Sequence, residues 1–255
     1  MANNNRPTLA AAWLAPCFAL LAAIVPATAA ADPPDLDPQP APRVFAVPTA
    51  WLVPNGGTIA TAGLSHRGEP FTAVSAGLGG VAELDLTFAR RDGLWQPSAL
   101  FKLGGSVAKL PVALGFRRSL AVSEKNAVLY GALTLASRPV LLHVAIEAWQ
   151  AQERTRAGLP EVPLTVRPAL GLEWNPWIAP RSTVLLDFGW KPRFADGGAS
   201  LAWHGNWGVR VRIVQSMSLE LGVEMRQDEA IDRPSVFVRL NRRAAASPRR
   251  SVSAR

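Results

Sequence analysis

The chain has 255 residues, 49% of them apolar and 18% charged, with a formal net charge of +8. The charged fraction lies below the roughly 25% of soluble domains, and the basic residues are scattered singly outside the C-terminal end, which argues against a nucleic-acid-binding face. The single cysteine, Cys17, leaves no disulfide framework and no cysteine metal site, and three histidines give little basis for a transition-metal centre.

In chain order, Arg6 precedes the apolar run LAAAWLAPCFALLAAIV and then PATAAAD. A positive start, an apolar middle and a small-residue site read as a signal peptide over residues 1–30, cut near Ala29 to Ala31. An uncleaved anchor is the alternative, opposed by Pro16, Pro26 and the alanine-rich end. Leu14-Ala15-Pro16-Cys17 is a poor lipidation box, because proline precedes the cysteine and a long apolar run follows it. Residues 32–43, DPPDLDPQPAPR, form a proline-rich linker. Residues 44–57 either make a first strand or fold into an interior, leading with Phe45, Pro48 and Trp51.

From residue 58 the apolar pattern has period two, not the three-to-four spacing of helices. Leu84, Leu86 and Phe88 alternate with Glu83, Asp85 and Thr87. Leu170, Leu172 and Trp174 alternate with Gly171 and Glu173. Val209, Val211 and Ile213 flank Arg210 and Arg212, and Leu219, Leu221 and Val223 flank Glu220 and Glu224. Strands are expected at 58–66, 70–78, 81–90, 97–103, 109–118, 127–137, 140–150, 164–174, 182–191, 202–214, 216–226 and 234–241. Pro111 and Pro168 each remove a ladder donor, so bulges or later starts are expected there. GLGG at 77–80 reads as a tight turn, since no helix follows it as a phosphate cradle needs. Residues 242–255 read as a basic disordered tail.

Strands of this length suit a tilted bilayer crossing. Alternation alone fits a soluble sandwich equally well with inside and outside exchanged. Three further features favour a closed antiparallel transmembrane β-barrel of about twelve strands, range ten to fourteen, over 58–241. The strand number is even. Longer connections (91–96, 119–126, 151–163, 192–201, 227–233) fall on one side and tight ones (79–80, 104–108, 138–139, 215) on the other, with 175–181 as the exception. Trp95, Trp149, Trp174, Trp177, Trp190 and Trp203 lie near strand ends, where interfacial belts place aromatics. A sheet in hydrocarbon must also close, because an open edge leaves backbone groups without partners.

The charges of the strands then face inward. Arg90, Lys102, Arg117, Arg167, Arg210, Arg212 and Arg239 oppose Glu83, Asp85, Glu147, Glu173, Asp187, Glu220 and Glu224, giving a nearly neutral lumen. The lumen wall is assigned to Arg210, Arg212, Glu220, Glu224, Arg167, Glu173, Asp187, Glu147 and His143. These form either cross-strand ion-pair ladders holding register or the sides of a watery passage. In VLLHVAIEAWQ (140–150), His143 and Glu147 share a face but stand roughly 13 Å apart along the strand, so they cannot pair with each other. No catalytic, cofactor or metal residues are assigned. Ser65, Ser75 and Ser182 sit in no nucleophile elbow. His66, Asp85 and His143 are the residues on which a rim-located enzyme, the alternative, could draw. A soluble periplasmic binding sandwich is the other.

The stretch VFAVPTAWLVPNGGTIATAGLSH, with Pro48-Thr49-Ala50 and Gly56-Gly57, followed by GLGGVAELDL and the later ALFKLGG, LPVALGFR and RPALGLEWNP, resembles outer-membrane barrels associated with exopolysaccharide operons. The resemblance implies an outer-membrane barrel with an export or envelope role and carries no catalytic residues. The expectation is a monomer in the bacterial outer membrane with both termini periplasmic, acting as a narrow passive channel or envelope scaffold. Its expected partners are outer-membrane lipids, the insertion machinery and, through the basic tail, anionic envelope polymers.

Overall fold

The computed structural model describes residues 43–65, 68–91, 93–121, 124–137, 139–153, 161–195, 198–227 and 235–244. The expected signal peptide, most of the linker, His66 and the end of the tail lie outside them. Twelve strands follow one another: β1 (Thr58–Leu64), β2 (Pro70–Leu78), β3 (Ala82–Arg91), β4 (Leu94–Val107), β5 (Leu110–Ser119) and β6 (Glu124–Ser137). They continue as β7 (Val140–Glu153), β8 (Glu161–Trp174), β9 (Ser182–Ala195), β10 (Gly198–Val214), β11 (Met217–Arg226) and β12 (Ser235–Ala244). Each pairs antiparallel with its chain neighbours, and β1 closes on β12 from Thr58↔Ala244 to Leu64↔Val238. The chain folds as a closed all-β barrel.

Alternation sets which face is covered. Glu83, Asp85, Lys102, His143, Glu173, Asp187 and Glu220 are all buried, whereas Leu84, Leu86, Phe88, Leu170, Leu186, Phe188 and Leu221 are exposed. The polar faces therefore enclose the interior and the apolar faces point out. A strand of fourteen residues is about 46 Å long and, tilted near 45°, rises about 33 Å, enough for a hydrocarbon core of about 30 Å.

Strand boundaries differ from the expected ones mostly at one rim. β4 begins at Leu94, β8 at Glu161 and β10 at Gly198, and β9 runs on to Ala195. The connections expected to be long at 91–96 and 192–201 shrink to 92–93 and 196–197. The connections at 154–160 and 227–234 remain long. The physical reason for the shortening is that hydrogen-bonded pairing continues past the apolar stretch into polar sequence, as in Arg193↔Ser200. β12 likewise extends through Arg242 and Arg243, which the sequence places in the tail.

Proline behaves in two ways. Pro111 pairs with Ser106 beside the two-residue turn at Ala108-Lys109, with no break in the ladder. Pro168 keeps its register with Ile146 on β7, but β8 pairs with β9 only through Leu170–Trp174 against Phe188–Val184. The register shifts lie elsewhere, between Trp149 and Ala151 and between Arg212 and Val214.

Candidate functional site

The lumen is the candidate site, and residues 43–57 run through it. They form no strand, only isolated bridges at Arg43↔Pro48 and Asn55↔Gly77, with a turn in which the Val44 amide donates to the Val47 carbonyl at 3.1 Å. Val44, Phe45, Val47, Thr49, Ala50 and Val53 are buried. Their backbone groups bond to inward side chains from opposite parts of the wall. Asp187 on β9 accepts from the amides of Ala46 (2.5 Å) and Val47 (3.1 Å). Thr134 on β6 accepts from Ala50 at 3.1 Å, and Glu83 on β3 from Val53 at 2.9 Å. Lys102 Nζ on β4 donates to the Trp51 carbonyl at 2.7 Å, and Arg239 Nη1 on β12 to that of Phe45 at 2.8 Å. A segment that reaches five strands around a closed barrel can only lie inside it.

Close backbone approach fixes its exit. The Gly56 amide donates to the Gly77 carbonyl at 3.1 Å, and the Gly77 amide to that of Gly57 at 3.0 Å. A Cβ on Gly77 would fall 2.1 Å from the Pro54 carbonyl oxygen, so only glycine fits.

The wall side chains form one connected chain of polar contacts. Thr134 Oγ1 lies 2.9 Å from His143 Nδ1, and His143 Nε2 lies 3.4 Å from Glu173 Oε1. Glu173 Oε2 contacts Arg210 Nη1 at 3.2 Å, and Arg210 Nε donates to Glu220 at 2.7 Å. Glu220 in turn stands 3.8 Å from Arg239, whose guanidinium lies over the rings of Phe45, Phe71 and Phe237. One end of the chain, Thr134, takes the Ala50 amide; the other, Arg239, gives to the Phe45 carbonyl. Opposite it, Lys102 and Glu83 pair at 3.2 Å, both fully buried. Asp85 accepts from Ser75 at 2.6 Å and Thr87 at 2.9 Å, and Arg43 stands 3.8 Å away. Such charges cost several kcal/mol each to bury and are tolerated because each has partners.

Of the nine residues assigned to the lumen wall, His143, Glu173, Arg210 and Glu220 meet in that chain, and Asp187 holds the segment. Glu147 accepts from Trp149 Nε1 at 2.9 Å, so Trp149, expected in an interfacial belt, is an interior residue. Glu224 pairs with Lys191 rather than with an arginine of β10. Arg212 donates to the Pro180 carbonyl at 3.2 Å, at the rim of the short turns. Arg167 is not a wall residue: its guanidinium is exposed and lies 5.3 Å from the centre of the Trp190 ring. The neutral members Thr134, Ser75, Asn206 and Tyr130 were missed because formal charge was the signal followed; the period-two register already placed them inward.

Thr134, His143 and Glu173 have the order of a hydroxyl–imidazole–carboxylate relay. The hydroxyl oxygen is taken by the Ala50 amide and all three side chains are buried, which leaves no room for a substrate carbonyl. The relay holds the segment. One patch of the interior on β4, β6, β7 and β8 is apolar, where Leu100, Tyr130, Ala132, Ala145 and Ala169 pack around Val47.

Fold and lumen together define an outer-membrane-type β-barrel of porin architecture. Among solved structures, a KdgM porin matches with a TM-score of 0.52 and 7% identity over 74% of this chain and 98% of that one. The same porin in complex with disordered oligogalacturonate matches at 0.53 and 7% over the same shares. A NanC porin matches at 0.53 and 10%, over 72% and 97%. At these identities the likeness is one of fold. No family model and no curated protein matches the sequence.

Proposed function

We propose that the protein is a passive outer-membrane channel for small hydrophilic solutes, closed at rest by its own residues 43–57. The reading rests on one observation: a lumen lined by opposed charges, whose hydrogen-bonding groups are taken up by a segment from outside the strands. Opposed carboxylates and guanidiniums are what a watery passage presents to polar solutes, and the segment covers them. Its bonds are single contacts to side chains, with no ladder, so it can leave while the barrel stays closed. Outer-membrane lipids as the surrounding partner are supported by the apolar outer faces, and the insertion machinery as the route of assembly follows from that location alone. A link to polysaccharide passage, and contact of the basic tail with anionic envelope polymers, rest on the sequence resemblance and tail charge alone.

The test is conductance of the purified full chain in planar bilayers. Removing residues 43–56 is expected to raise single-channel conductance several-fold. A Cβ on Gly171 would lie 3.5 Å from Val44 Cβ, inside the roughly 3.5–4.5 Å of disulfides. Val44→Cys/Gly171→Cys in a Cys17→Ser background is therefore expected to be silent when oxidised and to open on reduction. Equal, low conductance in all forms would replace the channel reading with an envelope scaffold.

A further inference from the structure

We infer that the barrel wall has a lateral opening between the upper halves of β8 and β9, and that it admits an acyl chain of a membrane amphiphile from the bilayer into the apolar side of the lumen. Above the pair Leu170↔Phe188 the ladder stops, although β8 continues to Glu161 and β9 to Ala195. Both strands remain paired on their far sides, to β7 and β10. The gap is thus a seam between two ordered sheet edges.

Pro168 accounts for the break. Its carbonyl accepts from Trp190 Nε1 at 2.8 Å, so it points toward β9. The N–H and C=O of one residue in an extended strand point to the same side, so the amide that proline lacks would also have pointed toward β9. A side-chain indole spans the seam where a backbone donor is missing. Pro192 removes a further amide from the β9 edge, and prolines hinder another strand from adding there.

The seam begins within the apolar outer band, just above the Leu170↔Phe188 pair. Leu164 and Val166 are among the most exposed aliphatic residues of β8, and Trp190 belongs to an outward aromatic group with Phe188 and Trp203, at 5.7 and 6.2 Å from Phe188. Arg167 occupies the inward register position of Ala169 and Gly171, yet its guanidinium lies over the outward Trp190 ring. A side chain passes from one face to the other here. Directly behind the seam, Ala169 and Gly189 face inward and are buried. Val47 packs with Ala169, and its Cγ2 would be 3.6 Å from a Cβ on Gly189. The apolar floor is the β8 side of the niche, where Ala169 packs with Val47 and Ala145; on the β9 side Gly189 stands beside His204, whose Nε2 would be 3.1 Å from a Cβ there. A slot without a ladder, with Leu164 and Val166 on its outer lip and Ala169, Ala145 and Val47 on its floor, fits a hydrocarbon chain along its β8 side.

The full chain, reconstituted in phosphatidylcholine doped with phosphatidylcholine carrying a mid-chain diazirine, gives the test. After photolysis, peptide mapping should place adducts on inward Ala169 and Gly189 as well as on outward residues all round. Inward Ala73 and Ala113, behind fully paired wall, should stay unlabelled. Pro168→Thr, which returns an amide to the edge, should lower labelling of Ala169 several-fold. Labelling confined to outward residues on every strand would overturn the opening. Labelling reads lipid entry and is independent of what the lumen conducts.

Discussion

At the scale of single residues, the burial of charge is what makes the interior specific. Lys102 and Glu83 are paired, and each also holds one backbone group of the segment, the Trp51 carbonyl and the Val53 amide. Lys102→Met leaves Glu83 without its counter-charge, which costs about 3–5 kcal/mol when a buried pair is broken. The variant should unfold at markedly lower temperature, read as loss of heat-modifiable gel mobility; an unchanged midpoint would mean that water already compensates Glu83. The charged residues of the lumen were legible because alternation put them opposite an uncharged face. What each would touch was not. His143 and Glu147 share a face and proved to have separate partners, Thr134 and Glu173 for one, Trp149 for the other. Arg167 was misread because its register position is inward, and only the missing β8–β9 ladder lets its side chain turn outward.

Between residues and the whole, turns and close approaches decide how elements meet. Ala108 and Lys109 have φ of 49° and 68° without being glycine, at roughly 1–2 kcal/mol per residue. Asn-Gly, which suits a two-residue turn with both angles positive, should stabilise the β4–β5 hairpin by about 1–2 kcal/mol in urea titration. Gly77→Val should act in the other direction and locally. The added side chain collides with the Pro54 and Val53 carbonyls, displaces the segment at its exit and exposes the bond after Arg43 to trypsin while the barrel stays folded. Protection equal to wild type would show that the segment is not seated by this glycine. All twelve strands could be read from period two to within four residues at each end. Their upper ends could not be read more closely, since pairing there continues through Leu94–Gln96 and Gly198–Leu201 without the apolar signal of a bilayer crossing.

For the molecule as a whole, closure and the occupied lumen follow from different features of the chain. Closure follows from twelve strands whose outer faces are apolar, and it removes every edge except the seam at Pro168. The lumen is occupied because residues 43–57 supply backbone donors and acceptors to side chains that the strands alone leave facing one another. The sequence offered that segment two fates, a thirteenth strand or an interior position. Composition could not choose between them, because the choice depends on which wall charges lie within reach. Everything said of channel, segment and seam requires the apolar faces to point outward. The most direct measurement is oxygen relaxation of nitroxides placed singly at Leu221 and Glu220, neighbours on β11 that are 47% and 4% exposed. In lipid vesicles oxygen should relax the label at Leu221 more strongly than that at Glu220; equal or reversed relaxation would contradict the orientation.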